Sequence, residues 1–157
     1  MIYKPPQNIA YKDPQRKYIF LAGSIEMGKA EDWQSDMTKF LNTLEIGVFN
    51  PRRDDWDASW VQDYDNPQFN QQVNWELNAL DKADRILMNF VPETISPISL
   101  LEFGLYADSK KMAVVCPQGY WRKGNIEIVC AKYDIALFNN LDDYKHHIGI
   151  LNKNNLI

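Results

Sequence analysis

Five short apolar segments alternate along this chain with stretches of helical periodicity, and this alternation constrains the fold more than any other feature. The first segment, YIFLA at residues 18–22, is apolar at every position and ends at Gly23-Ser24. A strand that is apolar on both faces is typical of the buried centre of a parallel sheet. Three of the other segments, at residues 48–50, 84–91 and 112–116, are each followed by a proline, and the last covers residues 135–138.

Helical patterns lie between these segments. Over residues 30–45, the apolar residues Trp33, Met37 and Leu41 recur at helical spacing on one face. Strands that alternate with helices form parallel sheets with helices on both faces. We therefore predict one α/β, Rossmann-like domain over residues 18–157, with a five-stranded parallel sheet. The further helices are predicted at about residues 69–82, 97–111 and 126–132, and in a polar tail.

The first 17 residues have a different composition. Pro5, Pro6 and Pro14 lack a backbone donor and disfavour helix, so we predict an extended N-terminal arm at residues 1–17. The arm is polar, unlike a secretory signal, and no apolar stretch approaches the roughly 20 residues that span a bilayer. These features predict a cytoplasmic protein with no membrane partner.

Charge and cysteine content argue against two further classes of protein. The chain has 17 basic and 21 acidic residues, a net charge of −4, and so lacks the excess of positive charge typical of nucleic-acid binding. Cys116 and Cys130 are too few for a disulfide framework. Neither the cysteines nor His146 and His147 have metal-ligand spacing, so we expect no metal and histidines at the surface. From the charge we expect no nucleic-acid partner.

The carboxyl ends of the strands are where we expect a ligand, because open α/β sheets bind ligands there, near the point at which strand order reverses. The turn at residues 23–28 follows the first strand and offers backbone donors and the Ser24 hydroxyl to a phosphate or a sugar. A plain turn is the alternative, because the sequence matches neither GxGxxG nor a Walker loop.

Glu102 lies in the helix that begins at Ser96, where a serine followed by proline has the form of an N-cap. Burial among apolar residues raises the pKa of a carboxyl group and leaves it in need of partners, so such residues are often functional. A partly exposed glutamate or a structural ion pair is the alternative. Three apolar residues of this helix are expected to face inward beside it: Ile98, Leu101 and Leu105.

The long loop at residues 51–68 is acidic and has no regular period. Loops of this length in compact domains tend to be functional or disordered, and Trp56 and Trp60 favour an ordered one. Its carboxylates can accept hydrogen bonds from ribose or base, and its arginines suit phosphate. Solvated charge is the alternative for each of the four candidates, which are Arg52, Arg53, Asp54 and Asp57.

Four runs of the sequence resemble the nucleoside 2-deoxyribosyltransferase-like family: IFLAGSIEMGKAEDWQ, NPRRDDWD, QVNWELNALDKADRILMNF and SPISLLEFGLYADSKK. The resemblance covers about residues 18–125. Its most specific part is the pairing of LAGSI at a strand end with the later LLEFGLYA. It implies a flavodoxin-like sheet, a deoxynucleoside substrate with a free nucleobase, no cofactor, and a homo-oligomer whose sites borrow residues from a neighbouring chain.

The resemblance also implies roles for individual residues. Glu102 matches the family's nucleophile, and Glu76 matches an acidic helix position close to it. Gly23 and Ser24 match the loop that lines the nucleoside pocket. The remaining matches are Asp54 and Asp57 in the loop that reaches the base, and Asn125, an amide that reaches the sugar or the nucleophile across a subunit interface. Ser96, which we expect to bind substrate, departs from the pattern: the best-known bacterial enzymes have an acidic residue at this position, six residues before the nucleophile.

Together these residues predict a nucleoside 2-deoxyribosyltransferase that acts through a covalent deoxyribosyl ester of Glu102. Asp54 or Asp57 would protonate the leaving base if its pKa is raised, and Trp56 would stack on the base or exclude water.

Two alternatives stay open. One is a 2′-deoxynucleoside 5′-monophosphate N-hydrolase, in which Arg52 and Arg53 would bind the phosphate. The other is a non-catalytic module that binds or senses a nucleotide.

Overall fold

The computed structural model describes residues 1–25, 31–57 and 59–157. Within these residues, six strands form one parallel sheet, and five α-helices cover it. The strands are β1 (Ile2–Tyr3), β2 (Tyr18–Gly23), β3 (Gly47–Phe49), β4 (Arg85–Asn89), β5 (Met112–Val115) and β6 (Ala136–Phe138). The helices are α1 (Trp33–Thr43), α2 (Pro67–Lys82), α3 (Pro97–Tyr106), α4 (Lys123–Tyr133) and α5 (Leu141–Lys153).

The strand order is β1-β3-β2-β4-β5-β6. Without β1, this is the order of a flavodoxin-like, doubly wound sheet, so the predicted α/β class is confirmed. The chain leaves β2 towards β3 on one side and later crosses to β4 on the other. The strand order therefore reverses between β2 and β4, where such folds bind ligands.

The sheet has one strand more than the five predicted, because part of the N-terminal arm joins it. Ile2 and Tyr3 pair with Val48 and Phe49 at the edge of the sheet. A two-residue strand is too short to leave a pattern in the sequence. The rest of the arm includes a short 3-10 helix, Ile9–Tyr11.

The helices divide between the two faces of the sheet. Buried residues of α2, α3 and α4 form one apolar cluster with one side of the strands, and those of α1 and α5 form a second cluster on the other side. Every residue of β2 is buried, as expected for a central strand. Local sequence supports the helix starts, because the side chains of Asp32, Asn66 and Asn140 accept first-turn backbone hydrogen bonds.

Gly23 ends β2 at the place where the backbone of β4 approaches it most closely. It lies opposite Asn89 in the parallel register and has a φ of +133°. A Cβ atom at this position would collide with the backbone carbonyl of Asn89. Position 23 therefore requires glycine, both because of its positive φ and because there is no room for a Cβ atom.

We predict that Gly23→Ala lowers the free energy of unfolding by at least about 2 kcal/mol, because it adds a backbone clash to a strained φ. Urea unfolding measures this change. Gly149→Ala is the matched control: Gly149 lies in α5 with open space around its Cβ position, so alanine should be neutral or stabilise by up to about 1 kcal/mol. Equal effects of the two substitutions would contradict the close approach at Gly23.

Candidate active site

Three buried hydroxyl groups join the end of β2 to the start of α3. Ser24 Oγ lies 2.7 Å from Thr94 Oγ1 and 2.6 Å from Ser96 Oγ, and the last two oxygens lie 2.7 Å apart. We call Ser24, Thr94 and Ser96 the hydroxyl triad. The backbone of Val91 completes it: its N–H donates to Ser24, and its carbonyl accepts from Thr94. The triad therefore ties together the ends of β2 and β4 and the first residue before α3.

Ser96 occupies the predicted N-cap position, with Pro97 as the first helical residue. Its hydroxyl does not cap the helix, however, because Ser96 has a left-handed backbone, with φ +49°, and its side chain bonds within the triad. Positive φ is uncommon for a residue other than glycine, and strain of this kind persists where the surroundings enforce it. Thr94, which sequence reasoning did not single out, is one of those surroundings.

Glu102 is buried on the inner face of α3, with 9% of its surface exposed. Ser99 and Phe103 share this face, and the Phe103 ring packs edge-on against Phe90 at a centroid distance of 6.1 Å. The expectation of a buried carboxyl group is therefore correct.

The prediction that three apolar residues of α3 face inward beside Glu102 is wrong. Ile98, Leu101 and Leu105 point outward and expose 59%, 59% and 61% of their surfaces. The helix is apolar almost all the way round, so its periodicity could not show which side faces the sheet. The inner face carries the polar Ser99 and Glu102 together with Phe103, whereas Ile98, Leu101 and Leu105 are left at the surface.

Glu76 on α2 lies close enough to Glu102 for the two charges to interact. Burial raises the pKa of Glu76 to about 7, although a hydrogen bond from Gln72 opposes this rise. Burial, with a further contribution from the charge of Glu76, raises the pKa of Glu102 to about 8. The site thus holds two coupled carboxyl groups that keep a proton near neutral pH.

Gln72, another residue that sequence reasoning missed, connects Glu76 to the loop after β3. Its side-chain amide donates to Glu76 Oε1 at 2.8 Å and to the carbonyl of Pro51 at 3.0 Å. Its own Oε1 is buried and has no hydrogen-bond partner among the described residues. The four-residue spacing of Gln72 and Glu76 on a helix was the one sequence feature that could have indicated the contact.

The two arginines of the long loop bind protein groups. Arg52 forms an ion pair with Asp32 at 3.3 Å and donates to Gln34 and to the carbonyl of Glu31, next to the start of α1. Arg53 pairs with Asp55 at 2.7 Å. Both arginines therefore hold the loop in place, whether or not they also bind substrate.

The other loop candidates lie nearer the surface. Asp54 is exposed and pairs with Lys4 of the arm. Asp57 is also exposed, and hydrogen bonds from Ser59 hold the pKa of this carboxyl group below its usual range. The half-buried Trp56 packs edge-on against Trp60, with 5.2 Å between ring centroids.

Two more predicted positions complete the set. Asn125 lies exposed in the first turn of α4, which begins earlier than predicted. The backbone of Gly23 and the Ser24 hydroxyl lie at the carboxyl edge of the sheet, as predicted. The second half of the predicted turn, residues 26–28, lies outside the described residues.

A family comparison matches residues 16–120, about two thirds of the chain, to the model described as nucleoside 2-deoxyribosyltransferase like. The chain belongs to the nucleoside 2-deoxyribosyltransferase-like family. No curated protein matches it. The resemblance inferred from the four sequence runs is confirmed, and in this family member the matched region includes the hydroxyl triad, Glu76 and Glu102.

In the described part of this family member, no group of three or more histidine, cysteine, aspartate or glutamate residues could hold a metal ion. No helix of that part is long and apolar enough to cross a membrane.

We predict a pH dependence of stability from the two carboxyl groups. Their folded pKa values lie above the usual 4.5, so the folded state binds more protons than the unfolded state between about pH 4.5 and pH 8. The free energy of unfolding should fall as pH rises through this window. Glu102→Gln removes one of these protons and should stabilise the protein at pH 8.5 by on the order of 2 kcal/mol, with little effect at pH 5.

Urea unfolding at both pH values tests this prediction. Glu127→Gln on α4, at an exposed position, is the control and should follow the wild type at both values. A Glu102→Gln profile parallel to that of the wild type would show that Glu102 ionises as an ordinary surface carboxyl group.

Proposed function

We propose that the protein is a nucleoside 2-deoxyribosyltransferase that cleaves the N-glycosidic bond of a 2′-deoxynucleoside and transfers the deoxyribosyl group to another nucleobase. The observation that carries this proposal is the buried Glu102, coupled to Glu76, on the helix that starts at the hydroxyl triad. A carboxylate in such a place can stabilise the positive charge that develops at C1′ when a glycosidic bond breaks.

The reaction has two displacements. In the first, a carboxylate oxygen of Glu102 bonds to C1′ while the C1′–N bond breaks, and the base leaves with the electron pair and takes up a proton. In the second, a nitrogen of the incoming base bonds to C1′, the ester bond to Glu102 breaks, and the incoming base loses its proton. Two inversions give net retention of configuration.

Attack requires Glu102 to be ionised, but its pKa of about 8 lies above the value of about 7 for Glu76, so near neutral pH the proton of the pair rests mainly on Glu102. Transfer of this proton to Glu76 would leave Glu102 charged while the pair as a whole keeps one proton. The hydrogen bond from Gln72 opposes protonation of Glu76 and so adjusts how the proton is shared. We propose Glu76 as the proton-holding partner of the nucleophile.

Protonation of the leaving base by Asp54 or Asp57 stays a prediction. Both carboxyl groups are exposed, and the pKa of Asp57 is lowered, so the loop would have to close over a bound base to make either an effective acid. Stacking of Trp56 on the base requires the same closure, because its ring now packs against Trp60.

Hydrolysis of a 2′-deoxynucleoside 5′-monophosphate is the second candidate, and it would use the same ester with water as the acceptor. The start of α3 favours a phosphate, since helix N-termini attract anions. The protein contacts of Arg52 and Arg53 weaken the sequence argument for it. A nucleotide sensor would bind the same ligand without turnover.

We predict that Glu102→Ala lowers turnover by at least about 10³-fold, because it removes the nucleophile. The assay supplies a deoxynucleoside, or its 5′-monophosphate, with and without a second free base. Exchange of bases supports the transferase, release of base without an acceptor supports the hydrolase, and binding without either reaction supports the sensor.

Two further readouts sharpen this test. Mass spectrometry of acid-quenched wild type should detect a deoxyribosyl ester on the peptide that contains Glu102. Glu127→Ala is the control and should keep wild-type turnover. Wild-type rates in Glu102→Ala would remove the assignment of the nucleophile.

We also propose that the protein is a homo-oligomer in which a second copy covers the outer face of α3. The exposed apolar residues there extend from Ile95 through Leu101 and Leu105 to Trp121, whose indole N–H donates to the Ile95 carbonyl. Large adjoining apolar surfaces are typical of protein interfaces. That a neighbour brings its Asn125 to the site stays a prediction.

Leu101→Glu should shift the protein towards monomer, since it places a charge in the proposed interface. Size-exclusion chromatography with light scattering measures the mass. The matched control is Ile150→Glu on α5, on the other face of the sheet, where 46% of the isoleucine is exposed; it should leave the mass unchanged. A monomeric wild type, or equal effects of both substitutions, would contradict the proposal.

A further inference from the structure

A cavity lies at the amino-terminal edge of the sheet, and Glu102 is not among the residues that line it. The first residues of β4, β5 and β6 form its floor, and α5 covers it. The cavity has about 50 Å³ of water-accessible space, several times the roughly 10–15 Å³ that one water molecule requires. It is too small for a nucleoside but has room for a compact polar group.

Basic side chains converge on this cavity. Arg85, Lys111 and His147 line it, and the lining residues include no aspartate or glutamate. This is unusual for a chain with a net charge of −4. The local excess of positive charge favours an anion.

Arg85 and Lys111 have side-chain N–H donors that are not bonded to a carboxylate of the described residues. One terminal nitrogen of Arg85 donates to the carbonyl of Leu156 at 2.8 Å, and Lys111 Nζ donates to the carbonyl of Asp81 at 2.8 Å. Among the described residues, neither cation forms an ion pair. The remaining N–H groups of both side chains are therefore available to a ligand.

Tyr144 adds a hydroxyl group to the same cavity. Its side chain is 1% exposed, and its hydroxyl makes no hydrogen bond to any described residue. Burial raises the pKa of Tyr144, and the charge of Arg85 opposes this rise. Arg85 and Tyr144 both line the cavity. A bound acceptor would give this hydroxyl a hydrogen-bond partner.

We propose that this cavity binds a small tetrahedral oxyanion of the phosphate type. A phosphate offers several acceptor oxygens to the free donors of Arg85, Lys111 and Tyr144, and guanidinium groups bind phosphate through parallel hydrogen bonds. The site is separate from the one at Glu102, because its lining residues include neither Glu102, Glu76 nor any member of the hydroxyl triad. It does not depend on the proposed transferase reaction.

Titration of the ¹⁵N-labelled full chain with inorganic phosphate, followed by NMR at constant ionic strength in sodium chloride, tests the proposal. We expect saturable shifts at backbone amides of Ala113, Ala136 and Ile148, which line the cavity. Acetate, a planar anion, should bind at least about 10-fold more weakly at this cavity. Shifts confined to the Ser24 and Val91 amides, no saturation, or equal binding of acetate would overturn the proposal.

Variants identify the groups that bind. Arg85→Gln should weaken phosphate binding about 10-fold or more, and Tyr144→Phe should weaken it several-fold without loss of packing. Lys132→Gln, at an exposed position of α4 away from the cavity, is the control and should bind as the wild type does. Lys111→Gln provides a second cation variant if Arg85→Gln unfolds. Unchanged affinity in both cation variants would show that the cavity is not the site.

Discussion

The approach of β2 to β4 at their carboxyl ends is the constraint on which the site depends. Glycine at position 23 lets the two backbones meet, and Ser24 then bonds to Thr94 and Ser96 across the junction. These bonds hold Ser96 in a left-handed conformation, from which α3 starts. The direction of α3 determines that Glu102, six residues later, points into the protein while Leu101 and Leu105 point out.

Burial gives this carboxyl group its chemistry. An isolated charge in such a place is costly, so a nucleophile that must ionise needs a neighbour that can take its proton. In the proposed function Glu76 is that neighbour, and Gln72 links it to the loop after β3. Hydrogen bonds therefore connect the loop to Glu76, whose charge interacts with that of Glu102, and closure over a base could alter the charge of the pair by this route.

The sequence was sufficient for features that depend on local pattern. The fully apolar segment of β2, the spacing of Trp33, Met37 and Leu41, and the breaks at prolines predicted an α/β sheet with its ligand edge. The resemblance added Glu102 and Glu76. The sequence was not sufficient to predict contacts between residues far apart in the chain, or the orientation of a helix that lacks an apolar periodicity.

Two particular residues illustrate that limit. Thr94 meets Ser24 across 70 residues of chain, a contact that no local rule anticipates. Leu101 lies on a helix that is apolar on most sides, so only packing decided that it faces outward.

The most direct test of this account is the pH titration of the Glu102 side-chain carboxyl by ¹³C NMR. We predict a midpoint near 8 that falls in Glu76→Gln; a midpoint at the usual 4.5, unaffected by that substitution, would contradict it.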